Sequence, residues 1–245
     1  MSIKIDLKIF LFAILFWFTK QIELYALLMA FAFFHEIGHL VCGLIIGIKP
    51  ESIKINPLGF QIQFRTPVED CNKKIKNGNE QCMKKVMIAL AGPLINIFMI
   101  VICLFLPQSF EPAKTTIIYA NLLLAIFNLL PVYPLDGGRI LKEIVHIFKG
   151  NEKSYEVVNT VSKIVVITLT VVTSITILFI HNIALLLILA YLWYLMIQNE
   201  KRYHIKKVMY EQVKKDGGWA NVPSKTCGNI VTKAIEIANR SVKNV

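Results

Sequence analysis

Charge is scarce in this 245-residue chain, and what there is clusters. Asp, Glu, Lys and Arg make up only 18% of it, against 55% hydrophobic residues. Soluble domains carry about 25% charged residues spread over their surfaces, so this composition argues against a soluble globular protein and for a membrane protein. Acidic residues are the scarcer sign, 16 against 27 Lys and Arg, giving a net charge of +11. No aromatic-interleaved basic motif accompanies that excess, so nucleic acid is not an expected partner. The five cysteines include no Cys-x-x-Cys pair. An odd count without close spacing gives no disulfide framework and disfavours a cysteine-based zinc site. An apolar run from Ile9 to Phe18 follows Lys4 and Lys8, but no small-x-small cleavage site succeeds it. The run therefore reads as a retained first span, not a signal peptide. No internal repeat or low-complexity tract is evident.

What remains is a series of apolar segments. Hydropathy predicts an all-α polytopic membrane protein with about six transmembrane helices, near 5–18, 24–48, 86–106, 115–135, 157–180 and 183–197. Residues 1–200 form the expected membrane domain, and 201–245 a basic, weakly amphipathic tail of one or two short helices. The loops give the orientation. With the N-terminus inside, the inner segments carry Lys4 and Lys8, then eight Lys/Arg from Lys49 to Lys85, four from Arg139 to Lys153 and ten after Glu200; the outer connections carry only Lys20 and Lys114. That asymmetry predicts both termini in the cytoplasm. Between spans two and three, Ser52–Ile55 and Phe60–Phe64 alternate apolar and polar residues around Asn56-Pro57-Leu58-Gly59. This predicts a small membrane-associated β-hairpin, whose edge is a candidate for strand addition.

The chemistry sits in span two. Phe34-His35-Glu36-Ile37-Gly38-His39 contains His-Glu-x-x-His. On a helix the two histidines share a face and can hold one metal ion, with Glu36 as general base. Two imidazoles and a carboxylate are costly inside a bilayer and need partners, which strengthens a five-residue match. A catalytic zinc takes three protein ligands. Asp136 is the candidate third, in Asn128-Leu129-Leu130-Pro131-Val132-Tyr133-Pro134-Leu135-Asp136-Gly137-Gly138. Two prolines break the helix there, and irregular backbone at membrane depth belongs where it lines a cavity or is buried in protein. His146, beside Arg139 and Lys142, reads as a residue of a cytoplasmic helix without a metal.

These two motifs together resemble the site-2 proteases, the intramembrane zinc metalloproteases of peptidase family M50. The resemblance implies one Zn2+ per chain held by His35, His39 and Asp136, with Glu36 as the catalytic base. Asn128, Pro131 and Pro134 match the family's Asn-x-x-Pro-x-x-Pro-x-Asp-Gly element. Ala91-Gly92-Pro93-Leu94-Ile95-Asn96 resembles a further signature, in which Asn96 points at the active site. The layout is similar to the subgroup of stage IV sporulation protein FB, which implies a sporulation sigma-factor precursor as substrate, cut near the cytoplasmic face of a cell or forespore membrane. Membrane inhibitor proteins are candidate partners beside the tethered substrate and the bilayer. Many subgroup members carry a nucleotide-binding CBS domain, and the tail shows no clear CBS pattern. Two other classes compete: a metal-ion transporter and a non-catalytic membrane binding protein. Transporters usually carry inverted repeats and several charged pathway residues, which this chain does not show. The intact Glu36 argues against the second.

Overall fold

The computed structural model describes residues 2–56, 59–64, 78–180 and 183–215. Helices dominate: α1 (Lys8–Phe18), α2 (Ile22–Ile45), α3 (Gly78–Leu104), α4 (Ala113–Leu129), α5 (Asp136–Lys149), α6 (Asn151–Ile180) and α7 (Ile183–Lys215). Three of them, over Ile22–Ile45, Asn79–Leu104 and Asn151–Thr176, are long and apolar enough to cross a membrane. Large apolar side chains such as Ile97, Phe98, Val101 and Ile167 lie exposed, while His35, Asn96, Asn121 and Asp136 are buried. A surface this apolar over a polar interior suits lipid as the surrounding medium.

The expected hairpin is present as β2 (Pro50–Asn56) and β3 (Gly59–Phe64), between α2 and α3. Its Pro57-Leu58 turn lies outside the described residues. So do residues 65–77 with Cys71, and the tail from 216 with Gly217-Gly218, Pro223 and Cys227. A third strand was not expected. β1 (Ser2–Ile5) pairs in parallel with β2, Ser2 against Ser52 through Ile5 against Ile55, so the sheet order is β1-β2-β3. Ser2-Ile3-Lys4-Ile5 alternates as Ser52-Ile53-Lys54-Ile55 does, which lets the two segments share a pleat. The predicted first span therefore divides. α1 keeps 11 residues, about 16 Å at 1.5 Å per residue, well short of a hydrocarbon core of roughly 30 Å.

Span four ends early for a similar local reason. α4 stops at Leu129, and Pro131 and Pro134 keep the chain irregular until α5 begins at Asp136. The irregular segment is folded tightly back on the first turn of α5. A Cβ on Gly137 would lie 2.0 Å from the Leu129 carbonyl oxygen, so only glycine fits. Val132, fully buried, packs with Val166, Leu192 and Met196 of α6 and α7. Ser162 of α6 clasps the segment: its Oγ accepts from the Tyr133 N–H (3.2 Å) and donates to the Pro131 carbonyl (3.4 Å). Replacing Ser162 by Ala leaves a backbone N–H without that acceptor. We expect a loss of about 1–3 kcal/mol, read as a lowered thermal unfolding midpoint in detergent. α7 also differs from expectation, running unbroken past Glu200 into the basic tail.

Helices α2 and α3 approach closely at small residues. A Cβ on Gly38 would sit 2.6 Å from Ile95 Cγ1 and 2.8 Å from the Ala91 carbonyl oxygen. Such contacts are how membrane helices pack without a hydrophobic driving force between them. α5 packs on α3 as well. The second half of α2, the middle of α3 and the start of α5 thus meet in one place.

Candidate metal centre

One turn of α2 separates His35 from His39, and both imidazoles turn toward α3 and α5. Their Nε2 atoms lie 3.1 Å apart. Asp136 Oδ2 lies 2.9 Å from Nε2 of His35 and 3.2 Å from Nε2 of His39. All three side chains are at most 5% exposed. Asp136 enters from the first residue of α5, and its other oxygen faces Arg139 Nη1 at 3.5 Å. One oxygen thus meets the guanidinium and the other the histidines.

The outward nitrogens are engaged too. His39 Nδ1 donates to the Ile88 carbonyl of α3 at 2.7 Å, which fixes its proton on Nδ1 and leaves Nε2 as a lone pair facing inward. His35 Nδ1 lies 3.1 Å from the Asn96 carboxamide nitrogen. Asn96 is fully buried, and its Oδ1 has no partner. A half-turn of the amide, which exchanges nitrogen and oxygen, lets Oδ1 accept an Nδ1–H from His35, moves the amide nitrogen to the unpartnered side, and leaves the His35 Nε2 lone pair facing the space shared with His39 and Asp136.

The donor set fits a zinc-class ion. Bonds of about 2.0–2.2 Å in a tetrahedron place ligand atoms about 3.3–3.6 Å from one another; the three here are 2.9–3.2 Å apart, so they would spread by a few tenths of an ångström around an ion. Gly92 borders the same space. A Cβ there would lie 2.5 Å from Nε2 of both histidines, so the helix face opposite them has to be bare. Sequence reasoning quoted Gly92 without giving it a part. The available signal was a Gly-Pro pair inside an apolar helix, where both residues are costly.

Glu36 is buried beside the histidines, and its Oε2 accepts the Ile62 N–H of β3 at 3.2 Å. This contact, 26 residues away in sequence, ties the hairpin to the site and was not foreseen. The remaining candidates, Asn128, Pro131 and Pro134, lie on the stretch of chain that leads into Asp136. Asn128 donates to the Leu124 carbonyl one turn back on α4 (3.0 Å), and Pro131 offers its carbonyl to Ser162.

Asn96→Ala removes the group against His35 Nδ1. We expect metal affinity to fall by about 10–100-fold, measured by competition with a chromophoric chelator. Asn96→Asp, which keeps an acceptor, should restore most of it.

Two family models match the sequence: Peptidase M50B-like over residues 8–133 and Peptidase family M50 over residues 108–172. A zinc metalloprotease of Methanocaldococcus jannaschii is 28% identical over 197 residues, covering 78% of this chain and 53% of that protein. Stage IV sporulation protein FB of Bacillus subtilis is 24% identical over 126 residues, covering 50% of this chain and 40% of that protein. The chain thus spans about half the length, or less, of these curated relatives. The site-2 protease structure from Methanocaldococcus jannaschii superimposes with a TM-score of 0.61 at 23% identity, over 80% of this chain and 89% of that one. This match establishes a shared fold.

Proposed function

This chain belongs to the Peptidase M50B-like family, and on that premise we propose that it is an intramembrane zinc metalloendopeptidase that cuts a membrane-tethered protein near the cytoplasmic face. One observation carries the reading: three buried donor atoms from α2 and α5 converge within 3.2 Å of one another, and the carboxyl group of Glu36, the residue after His35, is buried beside them.

His35, His39 and Asp136 would hold the ion, and a zinc ion there supplies a Lewis acid that polarises a carbonyl and makes water acidic near neutral pH. The chain's own groups do the rest. Glu36 receives the proton of the attacking water and passes it to the leaving amine nitrogen. Asn96 and the Ile88 carbonyl keep the imidazoles in one tautomer and one orientation. Arg139 stands against the Asp136 oxygen that is turned away from the histidines and helps to orient the carboxylate.

β3 supports an extended substrate. It is the last strand of the sheet, and its outer edge faces Glu36 through the Ile62 N–H. A substrate strand adding along that edge would exchange the Glu36–Ile62 bond for its own and release the carboxylate for the water. A peptide bond inside a helix is shielded, so an extended segment is what this site needs.

The orientation with both termini inside rests on the Lys/Arg asymmetry of the loops. The sporulation sigma-factor precursor rests on the likeness to stage IV sporulation protein FB. The test is co-expression of the full chain with a membrane-tethered sigma-factor precursor, followed by immunoblotting. A shortened precursor that depends on the wild-type chain supports this substrate. An unchanged precursor, with the chain in the membrane and loaded with zinc, rules it out.

A further inference from the structure

Among the described residues, a second group of metal-ligating side chains lies apart from the first. Cys82 of α3 and Glu143 and His146 of α5 bring a thiol sulfur, a carboxylate oxygen and an imidazole nitrogen within 4.8 Å of one another. Cys82 Sγ is 3.4 Å from His146 Nδ1, and Glu143 Oε2 is 3.8 Å from the same nitrogen. Cys82 is six residues before Ile88, whose carbonyl holds His39, and Glu143 seven after Asp136, so the group sits about 9 Å along α3 and about 10.5 Å along α5 from those residues. It needs no part of the proposed protease chemistry.

We infer that Cys82, Glu143 and His146 form a second transition-metal site, which takes a divalent cation of the zinc class through one thiolate, one imidazole and one carboxylate. Three observations carry this. The donor atoms are spaced as ligands: tetrahedral Zn–S and Zn–N bonds put sulfur and nitrogen about 3.6 Å apart, close to the separation seen. Glu143 is buried, 6% exposed, and its Oε2 has no hydrogen-bond partner although it is turned into the group. Its nearest cationic groups, His146 Nδ1 at 3.8 Å and Lys85 Nζ at 4.0 Å, stand beyond hydrogen-bond reach; a buried oxygen without a hydrogen bond is costly, and a cation would supply a closer partner. His146 is about a third exposed, with a side-chain value of 31%. An ion can therefore reach the group from solvent, and water can fill the fourth position.

Two lysines stand close. Lys142 Nζ is 3.2 Å from Glu143 Oε1 and Lys85 Nζ is 4.0 Å from Oε2. They oppose a bound cation, which would also have to displace the Cys82 thiol proton, and Lys142 occupies the oxygen that the site does not use. Residues i and i+3 of one helix, joined to a cysteine on its neighbour, make the ion a cross-link between α3 and α5. Those two helices carry Asn96, Ile88, Gly92 and Asp136. Metal at the second site would hold the catalytic donors in register.

The test uses the full chain in detergent, stripped of metal and titrated with Co2+. A thiolate bound to cobalt gives charge-transfer absorption in the near ultraviolet; a site of two histidines and an aspartate has no sulfur and is silent there. We expect two equivalents of cobalt with that absorption, and one equivalent without it in Cys82→Ser. Replacing Cys42, Cys71, Cys103 and Cys227 together by Ser should leave the absorption intact. His146→Ala, at a partly exposed position, is the second variant should Cys82→Ser fail to fold; it should weaken the sulfur-linked equivalent on the order of tenfold or more. One equivalent in the wild-type chain without thiolate absorption overturns the inference. So does thiolate absorption that survives in Cys82→Ser or is unaffected in His146→Ala.

Discussion

Replacing Gly92 by Ala should empty the metal centre. A Cβ at this position would lie 2.5 Å from Nε2 of His35 and 2.5 Å from Nε2 of His39, about an ångström inside ordinary contact. Neither ring can easily give way. His39 is held by the Ile88 carbonyl and His35 by Asn96, and both lie at 5% exposure or less. α3 could retreat only by giving up its close packing on Gly38 through Ala91 and Ile95 at the same helix crossing. The strain therefore falls on the donor triangle. Displacing a reacting group by about 1 Å costs roughly 10²-fold in rate, and we expect at least that loss in cleavage together with loss of bound zinc. Elemental analysis of the purified variant, beside a circular-dichroism spectrum to show that the helices remain, measures it. Wild-type zinc content with wild-type cleavage would show that the space beside Gly92 is not where the ion sits.

The second large effect separates chemistry from binding. Glu36→Gln removes the proposed proton acceptor and keeps the shape. A glutamine oxygen can still accept the Ile62 N–H, so the hairpin stays against α2. The three donor atoms belong to other residues, so the metal should stay at wild-type occupancy. Loss of a general base typically costs about 10²–10⁴-fold, and we expect turnover to fall in that range. Single-turnover cleavage with zinc content measured on the same sample gives both numbers. Turnover near wild type would take the base role from Glu36; a variant that loses its zinc would make Glu36 a ligand.

Helix α2 shows why part of this site could be inferred from sequence. The His-Glu-x-x-His spacing is a local helical property, so the meeting of His35 and His39 needs only the helix. Asp136 needed a physical argument, because it is about a hundred residues away. A carboxylate on broken, proline-flanked backbone beside apolar spans calls for a buried partner. The hairpin was legible through its alternation. β1 was not: its four residues also alternate, but the choice of β2 as partner is a long-range pairing, and a neighbouring apolar run hides so short a strand. The contact between Glu36 and Ile62, the Ser162 clasp on Tyr133 and Pro131, and the meeting of Cys82 with His146 share that character. Each joins residues from different elements without a spacing that marks it. Gly92 is intermediate. Its place in an apolar helix signalled a special role, but only the packing of α3 on α2 shows which atoms it makes room for.

One measurement tests the proposed zinc-dependent cleavage most directly. The purified full chain, reconstituted into lipid vesicles with a membrane-tethered substrate, is stripped of metal by chelation, reloaded with zinc and sampled by mass spectrometry. The account predicts a single peptide bond cut near the basic-loop side of the membrane, no product after stripping, and recovery on reloading. A product that persists in the metal-stripped chain, or none from the zinc-loaded chain with any tethered substrate that sigma-factor processing or sequence-independent cleavage would use, would contradict it.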